Sequence, residues 1–429
     1  MPAWYSEPSC SARSRAYKST EVPARLSVFL DHASGAPLHP AARKALEEAL
    51  DAFGDPLRLH SEGRKARKLL DAAREGLAAD IGAQPDEIVF TSGGTESVAL
   101  GVVGVARAAG KPGDRIVISA VEHPSVKGAT ETLAAEGFEV ERVGVAADGK
   151  LDLDAFVAAV RRPGTVVASV QHSNHEVGTL QPVAEAARLA REAKVWFHCD
   201  AAQSVGRVPI DAEALGVDLL SLSGHKFGGP AGSGALFVGR GVPLAGSPRG
   251  DIRERHRRAG TENVAAVAGL AAALAAVSGE VPDQAARQWA MTDRLREGLA
   301  AMEGVALQGH PTQRLPHIVA FAAEHVDPEV LAMALDDQGF LVGIGSWENG
   351  LAYEPSSVFD AMGSAATPSI RISTGRETND GDVDDLLVSL GGLLSQLRRV
   401  DEASSLTFER RSEGDGSAPG GADPGARAN

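Results

Sequence analysis

The chain has 429 residues, 43% of them hydrophobic and 48 of them glycine, which suits an α/β protein with a large core and length enough for two domains. A formal charge of −15 argues against nucleic acid or an anionic membrane as a non-specific partner. Only Cys10 and Cys199 are present, which excludes a disulfide framework and a cysteine-based metal site.

Residues 1–26 are polar, with Pro2, Pro8 and Pro23 among serines and arginines. They read as a disordered arm, with a targeting peptide as the alternative. The start has no apolar signal core, and no apolar run reaches the roughly 18 residues that span a bilayer, so the expected location is cytoplasmic with no membrane partner. Short apolar runs at 88–90, 115–118, 165–170, 195–197, 217–220 and 234–238 read as buried strands. Helical patterns follow many of them, at 95 to about 109, 124 to about 136 and 183 to about 193. Such alternation predicts a mostly parallel sheet covered on both faces, with ligands bound beyond the carboxyl ends of its strands. Thr91, His172, Asp200 and Lys226 each fall just after a predicted strand and are expected to converge on one crevice. Beyond residue 262, alanine- and leucine-rich helices at 263–278 and 283–302 lead into a region with fewer strands. The expected organisation is a large domain at 27–264, whose first residues can pack with a smaller C-terminal domain at 265–400. A Gly-, Ser- and Pro-rich tail at 401–429 is expected to be disordered.

The turn Thr91-Ser-Gly-Gly-Thr-Glu-Ser97 is either a phosphate cradle or a plain strand–helix connection, and it lacks the lysine of a P-loop. Asp200 ends an apolar strand, where it serves as a cap, an ion-pair partner or the counter-charge of a cationic ring nitrogen. Lys226 lies in Ser221-Leu-Ser-Gly-His-Lys-Phe-Gly-Gly-Pro230, and burial there would make its amine nucleophilic. An aspartate and a lysine on successive strand ends are what pyridoxal phosphate needs. The amine holds the cofactor aldehyde as a Schiff base, and the carboxylate keeps the pyridine nitrogen protonated. His123 is a structural histidine or one that stacks on that ring. His172 and His175 lack a third ligand at suitable spacing, so no metal is expected. Arg371, in Ser369-Ile-Arg-Ile-Ser-Thr-Gly375, either grips a substrate carboxylate or makes a salt bridge.

Taken together, the motifs Leu30-Asp-His-Ala-Ser-Gly-Ala-Pro37, Thr91-Ser-Gly-Gly-Thr-Glu96, Glu122-His-Pro124, Asp200-Ala-Ala-Gln-Ser-Val-Gly206, Ser223-Gly-His-Lys226 and Ser369 to Gly375 stand in the order of a known family. From about Phe29 to Leu394 the chain resembles the cysteine-desulfurase branch of the class V aminotransferase superfamily. The resemblance implies pyridoxal phosphate fold type I: α/β, with a mostly parallel seven-stranded sheet in a large domain and a smaller α+β C-terminal domain. It implies that Lys226 binds the cofactor and shuttles the Cα proton, Asp200 pairs with the ring nitrogen, His123 stacks on the ring and Gln203 bonds its phenolic oxygen. Gly94, Thr95, Ser223 and His225 would hold the phosphate. Thr261 would reach the phosphate of a neighbouring subunit, which makes a homodimer the expected partner, and Arg371 would bind the substrate carboxylate.

Three departures from the family fall near the expected substrate mouth. Relatives carry a cysteine on a mobile loop; the matching stretch here is Gly345-Ser-Trp-Glu-Asn-Gly-Leu-Ala-Tyr-Glu-Pro-Ser356, and an ungapped count puts Glu348 at that position. His175 stands where relatives have the second of two asparagines. The glycine-rich loop is altered to Gly250-Asp-Ile-Arg-Glu-Arg-His-Arg257. Trp347, Asn174, His175 and Arg371 are assigned to the substrate side, and Lys226, His123 and Glu348 to catalysis. Glu348 would protonate a leaving sulfur, bind a cationic group or face solvent. Arg253, Arg255 and Arg257 would receive a bulky or anionic substituent or be solvated. The expected activity is β-elimination from a cysteine S-conjugate, giving thiol, pyruvate and ammonia. The alternatives are decarboxylation, transamination or oxidative deamination of an amino acid or cysteine conjugate, cysteine desulfuration, or an inactive binding homologue.

Overall fold

The structure, a computed structural model, describes residues 27–345, 356–363 and 369–414. The chain opens with β1 (Val28–Leu30), α1 (Pro40–Ala49) and α2 (Ser61–Asp80), then alternates β2 (Ile88–Thr91), α3 (Gly94–Ala109), β3 (Arg115–Ser119), α4 (Pro124–Ala135), β4 (Glu139–Val143) and α5 (Leu153–Val160). It continues through β5 (Thr165–Gln171), α6 (Val183–Glu192), β6 (Trp196–Asp200), α7 (Ala212–Leu215), β7 (Leu219–Ser223) and β8 (Gly234–Val238). The long α8 (Val264–Ala300) precedes β9 (Val305–Gln308), β10 (Ile318–Ala323), α9 (Pro328–Asp337), β11 (Phe340–Gly345), α10 (Ser357–Ala361), β12 (Ser369–Ser373) and α11 (Asp380–Gly414).

Seven strands form one sheet in the order β2-β8-β7-β6-β5-β3-β4, parallel except that β8 runs against β2 and β7. β3 and β7 are buried throughout and β6 from Phe197 onward, as expected where helices cover both faces. One apolar layer gathers Phe156, Phe197, Leu220 and Leu270; the other gathers Val102, Ile116, Ile118 and Leu236. The second sheet, β1-β11-β12-β10-β9, packs on α8, α9 and α11 around Leu295, Phe321 and Leu386. β1 pairs with β11 across some 300 residues of sequence, so the first described strand belongs to the second sheet.

The helical pattern differs from the sequence expectation in two places. The break expected at 279–282 does not occur, and α8 runs on through Pro282. One missing N–H bond is offset by burial on both sides, since Leu270 and Leu274 lie in the first core and Met291, Leu295 and Leu299 in the second. Contrary to the expectation, α8 alone among the described residues is long and apolar enough to cross a bilayer; half of its most apolar stretch is buried in the protein, and it packs against α1 and α2. α11 continues to Gly414, into the segment expected to be disordered. Residues 401–413 contain Ala, Leu, Glu and Arg and no proline, so the helix has no breaker there.

Candidate active site

The carboxyl ends of β5, β6 and β7 stand side by side, with Gln171 beside Asp200 and Asp200 beside Ser221. They open on a cavity of about 770 Å³. Gly94, Thr95, His123, His175, Asp200, Gln203, Ser223, His225, Lys226 and Arg371 all line it. Ten sequence-assigned residues from six stretches of chain thus share one wall.

Asp200 lies at the buried end of β6, and its carboxylate accepts one hydrogen bond from the Ala202 N–H (3.0 Å). Burial raises its pKa from 3.8 to about 6, against the pull of that amide and of Lys226. Lys226 follows β7 in a tight turn where a Cβ on Gly224 would sit 2.5 Å from Ser233 Oγ. Its Nζ donates to the carbonyls of Ala33 (2.7 Å) and Ser34 (3.1 Å). Burial first, then the Arg371 charge, lowers its pKa from 10.5 to about 8. Gln203 donates to the same Ala33 carbonyl (2.8 Å).

At the other end of the cavity no side chain caps the N-terminus of α3. Gly93 takes φ 154° there, and a Cβ on Gly234 would come within 2.6 Å of Gly93 Cα, so both glycines are required for this close approach. Ser223 and His225 flank this terminus and bond each other (3.0 Å). Burial holds the His225 imidazole below its ordinary pKa. His123 caps α4, its Nδ1 accepting from the Ser125 N–H (3.1 Å), and its ring meets His175 edge-on at 5.0 Å. His175 is held well below its ordinary pKa by burial and by the positive charges around it, and its buried Nδ1 has no hydrogen-bond partner among the described residues. Arg371 reaches in from β12 and donates to the His175 carbonyl (2.7 Å), Asp31 (2.8 Å) and Ser34 Oγ (2.7 Å).

These groups fit pyridoxal phosphate. A buried carboxylate with no cationic hydrogen-bond partner among the described residues suits a protonated ring nitrogen, an uncapped helix terminus beside the Ser223 hydroxyl and the His225 imidazole suits a phosphate, and a lysine of lowered basicity suits an aldehyde.

Other assignments lie elsewhere. Asn174 is not on the cavity wall; its Oδ1 accepts from the Glu176 and Val177 amides (both 2.9 Å) and its Nδ2 donates to the Val121 carbonyl, bonds that turn the side chain to the backbone. Thr91 bonds Ser97 and His172 bonds Ser204, both behind the wall. Thr261 is exposed and apart from the cavity. Arg253 is buried among Asp55, Asp251 and Glu262, so it is a structural tie rather than a substrate receptor. Arg257 bonds the Asp86 carbonyl, and Arg255 is exposed. Trp347 and Glu348 lie outside the described residues. Cys199 is fully buried on β6, and burial pushes its thiol pKa well up. Sequence reasoning gave no role to Asp31 or Ser34; the signal was an acid directly after a short apolar strand.

A buried acid, a lysine of lowered basicity and an uncapped helix terminus around one cavity define a pyridoxal-phosphate-dependent enzyme of fold type I. The chain belongs to the class-V aminotransferase family, whose model matches residues 28–386. It is 36% identical over 382 residues to a cysteine desulfurase IscS of Methanosarcina thermophila, covering 87% of this chain and 93% of that one. An IscS-like cysteine desulfurase of Mycobacterium tuberculosis is 38% identical over 382 residues, 87% of this chain and 97% of its own. The structure of a NifS-like protein superposes with a TM-score of 0.80 at 29% identity, covering 86% of this chain and 99% of that chain.

Proposed function

We propose that the protein splits the C–S bond of a cysteine S-conjugate by β-elimination, releasing thiol, pyruvate and ammonia, and that no cysteine of its own takes up the sulfur. One observation carries this reading: the only cysteine among the described residues, Cys199, is sealed in the β6 core with its thiol held protonated, and 345–356 contains none. Pyridoxal phosphate, bound through Lys226, supplies the electron sink that lets the Cα proton leave. Arg371 binds the substrate carboxylate and so fixes which Cα bond faces Lys226. The Lys226 amine takes the Cα proton, for which a pKa of about 8 is well placed near neutrality. Asp200 would supply a fixed negative charge to the cofactor's ring nitrogen. The sulfur leaves from Cβ with the C–S electron pair, and water then releases ammonia to leave pyruvate. Glu348, as the acid that meets the leaving sulfur, belongs to this proposal.

A second reading is cysteine desulfuration, which the names of the relatives favour; the same residues would serve, and the sulfur would pass to a thiol beyond the cavity wall described above. The exposure of Thr261, away from the cavity of its own chain, supports a homodimer in which it faces the neighbouring site. A cytoplasmic location is part of the same proposal. Incubating the cofactor-loaded enzyme with a panel of S-alkylcysteines tests the main reading. Equal amounts of thiol and pyruvate are expected, whereas carbon dioxide, or a product that retains its C–S bond, refutes it.

A further inference from the structure

The second sheet brings an acid of the chain onto the arginine assigned to the substrate. Asp31 directly follows β1, which lies beside β11; β11 in turn places Gly343 opposite Arg371 of β12. The Asp31 carboxylate crosses over Gly343 to reach Arg371 Nη2 at 2.8 Å. The crossing depends on that glycine, since a Cβ there would sit 2.5 Å from Asp31 Oδ1 and 3.0 Å from Arg371 Nη2. Ser34 Oγ accepts from the same nitrogen and the His175 carbonyl accepts from Nη1, while the buried Nε–H has no partner among the described residues. A guanidinium has five N–H donors and grips a carboxylate through two neighbouring ones. Both hydrogens of Nη2 are already committed, one of them to a carboxylate.

We propose that Asp31 is an internal competitor for the substrate carboxylate, occupying Arg371 until the substrate displaces it. The proposal rests on the reading of Arg371 as the carboxylate receptor. It also gives the exchange a consequence at the other end of the cavity. The strip from Asp31 to Ser34 that holds Arg371 also holds the lysine, because the Ala33 and Ser34 carbonyls accept from Lys226 Nζ. Gln203 is tied to the same Ala33 carbonyl. The strip therefore ties Arg371 to the place where the Lys226 amine rests when it is not bound to the cofactor, so displacing Asp31 and Ser34 from Arg371 loosens that place. Asp31 is thus a positioning residue that sets carboxylate affinity and links it to the lysine.

The test is calorimetric binding of propionate, a carboxylate without an amine, to the cofactor-loaded enzyme. Asp31→Asn keeps the shape and removes the competing charge, so propionate should bind at least about threefold more tightly, a difference calorimetry resolves. Asp31→Ala, which removes the competing carboxylate and leaves Arg371 uncrowded, should act in the same direction and decides the matter if Asp31→Asn does not fold. Unchanged or weaker binding in the folded variant overturns the competitor role. An Arg371→Met enzyme that binds propionate as well as wild type overturns the reading of Arg371 itself, whatever the Asp31 variant does.

Discussion

Replacing Asp200 by asparagine removes the negative charge at the cavity floor and keeps the shape. The structure sets the size of the effect. Burial lifts the carboxyl from 3.8 to about 6, which is about 3 kcal/mol against the ionised form in the cofactor-free pocket. A charge held at that cost is useful only if a cationic partner offsets it, so the pairing with a protonated ring nitrogen should be at least as large. An amide cannot supply it. Loss of about 3 kcal/mol from the step that develops negative charge on Cα slows that step by about 100-fold or more. The assay is exchange of the substrate Cα proton in deuterated water, followed by NMR, with both enzymes saturated in cofactor. Exchange in Asp200→Asn within about threefold of wild type, well short of the factor expected from this energy, would refute the reasoning.

Other outcomes follow from the same geometry. In the cofactor-free protein the Lys226 amine should lose its proton near pH 8, so its reductive methylation should rise through that pH and then level off; a midpoint at the ordinary 10.5 would contradict the burial argument. Arg371→Met should lower kcat/KM for α-amino acids by about 10- to 100-fold, mainly through KM, since it removes a charge-assisted hydrogen-bonded pair. Arg74 and Glu254 form an ion pair between α2 and the 250s loop (2.6 Å), with side chains only 8% and 1% exposed. Glu254 also accepts from the Phe90 N–H (3.0 Å), so Glu254→Gln should cost about 3 kcal/mol in urea unfolding; a loss below 1 kcal/mol would show that the pair is not the tie inferred here.

The large sheet and most of its cavity residues were legible in the sequence because a parallel sheet sends every strand's carboxyl end to one edge. Asp200, Lys226 and His123 could be placed by that rule without knowing any distance. Asn174 could not, because a short amide next to a turn has backbone amides two and three residues ahead, and it bonded those instead of facing the cavity. Arg253, in an arginine-rich stretch, read as a receptor for a substituent or as a solvated charge, yet Asp55 from between α1 and α2 and Asp251 and Glu262 from its own stretch close around it. The meeting of Asp31 with Arg371 depends on β1 joining a sheet formed some 300 residues later, and on a glycine between them. Periodicity carries no signal for that register. The sequence reading divided α8 into two helices at 279–282, but burial on two cores outweighed the one hydrogen bond lost at Pro282.

The central claim is that this cavity breaks a C–S bond with no thiol of its own. A cofactor-loaded chain carrying Cys10→Ser and Cys199→Ala has no cysteine left in either subunit of a dimer. Given an S-alkylcysteine, it should release thiol and pyruvate at the wild-type rate. Loss of turnover in a folded, cofactor-binding variant, or alanine in place of pyruvate from the wild type with sulfur left on the protein, would contradict the account.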